Sequence, residues 1–404
     1  MQGHCYRPKC KCPDKKKCTC GASWAYIVDV GLDPKTGKRK QVKKQGFKTK
    51  KEAQLAAAIA IKEIEESTFI KESDITFEAF SDEWLTGYNN SGKVKESTIR
   101  IRKHEIRRML PYLAKLKIKN ITRKQYQDAL NDLKAQGLSE RTIEGIYVTG
   151  RMIFKKAIEF ELIKNDPTQY IIVPKSAKTI EELEAEEEEI KYLEKEELSF
   201  FLKTAKEKGL EKDYLVFLLL SYTGMRVGEA LALKWKDIDF DNGTINIYKT
   251  LYNPKNNIME YKLLPPKTAA SKRKITVDMV VLEELKKYKA IQNAAKLKNR
   301  TIWHDKDFIF TKEIKYLGYP EIIKTVERRM GRLLKLAKLN TDLTPHSLRH
   351  THTSLLAEVG VSLPEIMERL GHKDDETTKQ VYLHITKSMK EEASRKFSEL
   401  MKSL

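Results

Sequence analysis

Asp213 to Tyr222 reads DYLVFLLLSY and runs straight into Thr223-Gly224-Met225-Arg226-Val227-Gly228-Glu229-Ala230. The first stretch has no polar stripe, so it predicts a helix buried on every side. An arginine set just beyond such a helix, held between two glycines, is costly to fold unless an anion meets it. A plain Arg226–Glu229 pair at i,i+3 would explain the same residues, and on a surface it is worth roughly a few tenths of a kcal/mol. The reading therefore depends on what lies further along the chain. Lys262 to Asp278 (KLLPPKTAASKRKITVD) predicts a β-hairpin with Lys267 near its turn. Leu343 to His350 (LTPHSLRH) offers Thr344 as an N-cap and Pro345 as a first-turn residue, with His346 and Arg349 on one face of the helix that follows. A helix N-terminus already suits a phosphate oxygen. Leu370-Gly371-His372 comes next, and Tyr382 stands in Thr377 to His384 (TTKQVYLH).

Each of these has an ordinary reading: a core histidine, a surface lysine, a packed tyrosine. Their joint order, Arg…Lys…His-x-x-Arg…His…Tyr, does not. With TGMRVGE, PPKTAASKRKI, TPHSLRHTH, LGH and TTKQVYLHI in place, the chain resembles the tyrosine recombinases of the phage-integrase family, most of all the integrases of conjugative transposons. The resemblance covers the whole C-terminal region and extends over nearly the full chain. It implies Arg226, Lys267, His346, Arg349, His372 and Tyr382 as catalytic residues, with Glu229 in support. Phosphoryl transfer rests on positioning and on neutralising charge over the equatorial oxygens. In that scheme Arg226 and Arg349 clamp the non-bridging oxygens, which planar forks do better than ammonium groups. Tyr382 attacks to give a 3′-phosphotyrosine, Lys267 protonates the leaving 5′-oxygen, and His372 hydrogen-bonds the phosphate. The bond energy is stored in the phosphotyrosine, so neither ATP nor a divalent metal is implied for catalysis.

Working back toward the N-terminus, seven Glu among residues 181 to 189 (EELEAEEEE) mark an acidic linker. Before it, Thr76 to Pro174 predicts four helices with basic faces, opening at a Thr76 cap, at Ser97, at Ile121-Thr122 and at Ser139. Arg100, Arg102, Lys103 and Arg107 are the expected DNA contacts there. Residues 1 to 51 hold fifteen Lys or Arg against three Asp, a net of +12 out of +20 for the chain. Trp24 to Val30 predicts a strand, Asp33 to Gly37 a turn and Lys38 to Lys44 the returning strand, with Gly46-Phe47 opening a third. Lys50 to Glu66 predicts the helix behind them. Lys38, Arg39, Lys40 and Lys43 would line a β-ribbon laid in a DNA groove.

All five cysteines fall in the first twenty residues. Cys10, Cys12, Cys18 and Cys20 would make one closed structural zinc site, with Cys5 as a possible substitute ligand; free thiols on an arm are the alternative.

The expected architecture is multidomain α+β. Residues 1–70 form an arm-type DNA-binding sheet plus helix, 75–175 an all-α four-helix core-binding domain, 176–190 the linker, and 191–404 a mainly α catalytic domain with a small antiparallel sheet and a C-terminal helix. Composition argues against a membrane protein, since the longest apolar runs, Leu55 to Ile61 and Tyr214 to Leu220, are too short to span one. A location in the bacterial cytoplasm, on nucleoid DNA, is expected. The resemblance implies double-stranded DNA with core-type and arm-type sites, a tetramer on DNA that exchanges C-terminal helices, an excisionase and a host DNA-bending protein. Two other readings stay open at this point: a type IB topoisomerase that relaxes DNA, and a non-catalytic DNA-binding regulator.

Overall fold

The computed structural model describes residues 3–12, 20–32, 39–65, 74–92, 94–176, 192–266, 271–371, 376–383, 385, 398 and 401–402. The chain divides into two compact units, 1–178 and 179–404. Lys38, Cys18, Lys267 and His372 lie outside the described residues. No helix among the described residues is long and apolar enough to cross a membrane.

The first unit contains two separate hydrophobic cores. The smaller one lies between a three-stranded antiparallel sheet and one helix. β1 (Gly3–Tyr6), β2 (Trp24–Leu32) and β3 (Arg39–Phe47) pair in that order. Helix α1 (Lys50–Glu65) covers the sheet with Ala53, Ala57 and Ala60, all buried, against Tyr26 and Val28. Small side chains on that face bring helix and sheet close together. Gly3 sits in the same contact, where a Cβ would stand 3.3 Å from Ile61 Cδ1. The third strand is thus at the N-terminus, and Gly46-Phe47 ends β3 instead of opening a new strand. The ladder pairs Trp24 with Phe47 and Ala25 with Gln45, so Gly46 is the extra residue of a bulge.

The larger core joins four helices: α2 (Phe77–Asn90), α3 (Glu96–Leu113), α4 (Arg123–Ala135) and α5 (Glu140–Glu159). Three of them start on the caps expected from sequence. Thr76 accepts from the Ala79 amide, Thr122 from the Gln125 amide and Ser139 from the Thr142 amide. Phe77, Phe80, Met109, Tyr126, Ile146 and Phe154 interlock between the helices, each no more than 1 % exposed.

In the second unit the Asp213–Thr223 helix is buried along nearly its whole length, as its all-round apolar sequence requires. Around it pack the helices Lys195–Lys208, Met279–Lys298 and Ser347–Glu358. β4 (Ile238–Asp239), β5 (Thr244–Ile247) and β8 (Arg273–Thr276) form one antiparallel sheet, and β6 (Thr250–Tyr252) pairs with β7 (Lys262–Leu264) in another. The expected 262–278 hairpin is corrected here. β7 and β8 belong to different ladders and do not pair with each other. Pro265-Pro266 explains the break, because neither residue can donate to a ladder.

Candidate active site

An α-helix leaves its last four carbonyls without intrahelical donors. Two helices of the second unit, Asp213–Thr223 and Leu363–Leu370, stop on left-handed glycines, Gly224 (φ 60°) and Gly371 (φ 70°). Arg226 lies two residues past the first glycine and His372 directly after the second. Arg349, 2 % exposed, ties the two ends together. Its Nη1 donates to the Gly224 carbonyl at 2.6 Å and its Nη2 to the Leu370 carbonyl at 2.7 Å. The motifs read separately along the sequence, TGMR, HSLR and LGH, therefore converge through one buried guanidinium.

Arg226 is better placed to meet a ligand, with its side chain 40 % exposed. Glu229 anchors it twice: the Arg226 amide donates to Oε2 at 3.0 Å and Nη1 to Oε1 at 3.1 Å. The same carboxylate accepts from Arg273 Nη2 at 2.9 Å. Burial alone would raise the Glu229 carboxyl, but the Arg273 hydrogen bond and the Arg273 and Arg226 charges outweigh it and hold Glu229 below the usual carboxylate range. The expected Arg226–Glu229 pair is real, and it is a half-buried brace rather than surface decoration.

His346 sits exposed at the start of the Ser347–Glu358 helix, its ring 4.9 Å from that of His350. The helix begins at Ser347, with His346 in the cap position; Thr344 is not the cap. The Thr344 amide instead donates to the Ser347 hydroxyl at 3.1 Å. His346 and Arg349 thus do not share an open face in the protein without DNA, since one is exposed and the other is buried where the two helix ends meet. Tyr382 lies on a helical stretch over 376–383 and packs, half-buried, against the cluster formed by Ala357, Ile366 and Leu370. That contact seats it on the same Leu363–Leu370 helix whose last carbonyls meet Arg349.

Three further side chains were not singled out from sequence. His352 is buried in the Ser347–Glu358 helix, with Nδ1 2.8 Å from the Ser221 carbonyl and Nε2 3.1 Å from Arg369 Nε. A carbonyl can only accept and a guanidinium only donate, so the ring is neutral with its proton on Nδ1. Burial and the Arg369 charge lower its pKa to about 4, which agrees with a neutral ring. Arg369 Nη2 also donates to the carbonyls of Tyr222 and Thr276, both at 3.2 Å. Arg273 Nε donates to the Arg369 carbonyl at 2.8 Å. The only sequence signal was an arginine directly before LGH, and it did not reveal which distant carbonyls it caps.

The basic residues of the first unit divide. Arg100, Lys103 and Arg107 are exposed on α3, as expected. Arg102 is not, which corrects the expectation for it: Nη1 donates to Glu105 Oε2 at 2.9 Å and to Thr149 Oγ1 at 2.7 Å, inside the bundle. On β3, Lys43 is exposed and Arg39 lies 3.4 Å from Asp29; Lys40 is placed by its backbone alone. The sulfurs of Cys10, Cys12 and Cys20 lie within 4.8 Å of one another, Cys10 and Cys20 at 3.7 Å. Cys5 packs instead against the sheet–helix core.

Three family descriptions match the chain: phage integrase family over residues 191–389, an arm DNA-binding domain over 14–64, and the N-terminal SAM-like domain of phage integrases over 76–134. The integrase of Staphylococcus phage L54a is 33 % identical over 81 % of this chain and 94 % of its own length. Among solved structures, the Tn1549 transposon integrase bound to a circular intermediate DNA has a TM-score of 0.61 at 22 % identity, covering 78 % of this chain and 99 % of that one. A lambda integrase tetramer bound to a Holliday junction has a TM-score of 0.54 at 21 % identity, covering 87 % and 94 %. Neither a topoisomerase nor a non-catalytic regulator is favoured by these likenesses. The chain belongs to the phage integrase family: it is a tyrosine recombinase, a site-specific DNA strand transferase.

Proposed function

We propose that this recombinase integrates and excises a mobile element through a covalent 3′-phosphotyrosine at Tyr382. The observation that carries the reading is Arg349, a buried guanidinium bonded to the carbonyls just ahead of both Arg226 and His372. Arg226 and Arg349 hold the non-bridging oxygens of the scissile phosphate, and His372 adds a hydrogen bond. The Tyr382 oxygen attacks phosphorus as His346 takes its proton. The bond to the 5′-oxygen breaks, and that oxygen leaves as a hydroxyl with a proton from Lys267. Glu229 keeps Arg226 and Arg273 in place. Attack by the 5′-hydroxyl of another strand then reverses the chemistry and completes the exchange. The test offers purified protein two labelled duplexes carrying the element's ends and its target. Joined recombinant strands are expected; relaxation of a supercoiled plasmid without joint products would overturn the reading.

The first unit supplies the grip. Arg100, Lys103 and Arg107 contact core-type DNA, with Arg102 bracing their helix, and Lys38, Arg39, Lys40 and Lys43 contact arm-type DNA. In this reading residues 1–70, 75–175 and 191–404 are the three working domains, joined through 176–190. The protein acts as a tetramer on DNA with C-terminal helices exchanged, helped by an excisionase and a host DNA-bending protein, in the bacterial cytoplasm on nucleoid DNA. Removing residues 1–66 is expected to weaken distal-site binding and flatten its dependence on salt, because a block of phosphate-neutralising charge is lost. Core-site cleavage is expected to survive, and a truncated protein that cleaves no core-site DNA at any concentration would contradict the modular scheme.

Cys10, Cys12 and Cys20 bind one structural zinc, with Cys18 as the fourth ligand, and Cys5 stays in the core. Three thiolates this close repel one another unless a cation holds them. Metal analysis of protein purified under reducing conditions without chelator is expected to give about one equivalent per chain, reduced in Cys18→Ser; less than about a tenth of an equivalent in the wild type would sink the site.

A further inference from the structure

The last carbonyls of a helix have no intrahelical donors, so they take them from water or from elsewhere in the fold. The Asp213–Thr223 helix finds three, all from other segments. His352 serves Ser221, Arg369 serves Tyr222, and Arg349 serves Gly224. The Leu363–Leu370 helix is treated in the same way: Arg273 serves Arg369, Arg349 serves Leu370, and the Ser271 hydroxyl donates to the Gly371 carbonyl at 3.3 Å. Two residues touch both ends. One is Arg349, already placed in the clamp; the other is Arg369, which belongs to the second helix and reaches the first.

Arg369 is an unusual choice for a cap. It stands near Arg273, and burial with the Arg273 charge pulls it below the ordinary arginine value. A carboxamide or hydroxyl could cap a carbonyl without adding another positive charge there. What a guanidinium adds is a planar fork that serves three acceptors from three directions at once. Nε donates to His352, and Nη2 is shared by Tyr222 on the segment leading to Arg226 and Thr276 at the end of β8. The junction is also tightly packed: a Cβ on Gly224 would come within 2.6 Å of His352 Cδ2 and 2.7 Å of Leu370 Cδ2. No side chain could lie between these pieces without forcing them apart.

We infer that Arg369 is a positioning residue of the strand-transfer site, whose guanidinium, seated on neutral His352, keeps the segment carrying Arg226 in register with the Leu370–Gly371 end of the second helix, so that the site meets a single phosphate. This rests on the function proposed above. Arg369 acts through the residues it holds and does not touch DNA itself. Without it, one of the two side chains that bond both helix ends among the described residues is gone, and the arginine clamp loses its fixed spacing. Displacement of that kind lowers the rate of the chemical step while leaving the many other phosphate contacts intact.

The experiment measures single-turnover cleavage of a nicked core-site duplex at saturating protein, together with Kd for the same DNA and Tm. Arg369→Met is expected to slow cleavage by about 10- to 100-fold, with Kd within about twofold of wild type. Arg369→Lys, which can still donate to the Tyr222 and Thr276 carbonyls, is expected to recover part of that rate. Should Arg369→Met fail to fold, Arg369→Lys carries the test, with a smaller loss in rate and unchanged Kd. His352→Asn, which can keep a donor toward Ser221 but is too short to place an acceptor where Nε2 meets Arg369, is expected to lose rate in the same direction. A folded Arg369 variant that cleaves at the wild-type rate, or one whose rate and affinity fall equally, would overturn the inference. Wild type and Tyr382→Phe are run alongside: an inactive wild type or a cleaving Tyr382→Phe would instead overturn the proposed site.

Discussion

Tyr382→Phe is expected to give no covalent protein–DNA adduct on a nicked substrate while binding the same DNA with nearly wild-type affinity. Only the hydroxyl is removed. The packing against the cluster of Ala357, Ile366 and Leu370, which seats the residue on its neighbouring helices, is available to phenylalanine as well. Affinity comes mostly from the lysines and arginines that meet phosphates along the duplex, none of which the substitution touches. Denaturing gels read the adduct and filter binding reads the affinity. An adduct that survives denaturation in the variant would mean that another residue is the nucleophile.

Arg226→Lys is expected to slow cleavage by ~30- to 1000-fold, equivalent to about 2–4 kcal/mol of transition-state stabilisation, with little change in Kd. Lysine keeps the charge but loses the two-pronged fork. Arg226 is the cleaner of the two clamp arginines to test. Its side chain is 40 % exposed and braced mainly by Glu229, so the fold does not depend on it. Arg349 bonds the Gly224 and Leu370 carbonyls in the interior, so replacing it also leaves buried acceptors unmet and mixes stability with catalysis. Comparable losses in binding and rate for Arg226→Lys would count against a transition-state role.

What the sequence made legible follows from range. Local signals held: the apolar run at 213–222 is a buried helix, and Thr76, Thr122 and Ser139 cap the helices they precede. Each is decided within one short stretch of chain. The motif order was legible because six such residues in a set order are far less common than any one of them. Signals that depend on a distant partner failed. Gly3–Tyr6 looks like arm sequence until its partner Ala25–Val28 is in place. The 262–278 segment looks like a hairpin until β5 and β6 claim its two halves. Arg102 matches its basic neighbours in composition, yet it turns inward because Thr149, 47 positions away, and Glu105 wait for it. Arg349 meets Gly224 across 125 positions and Arg369 meets Tyr222 across 147. Periodicity reports which face of a helix is buried, but it says nothing about which carbonyl that face will meet.

The wild-type adduct itself offers the most direct test. Protein trapped on a nicked core-site duplex is digested with a protease, and the peptide that stays attached to DNA is identified by mass spectrometry. The account predicts one linkage, from Tyr382 to the 3′ phosphate of the cut strand, with a free 5′-hydroxyl on the released fragment. DNA attached at any other residue, or through a 5′ phosphate, would contradict it.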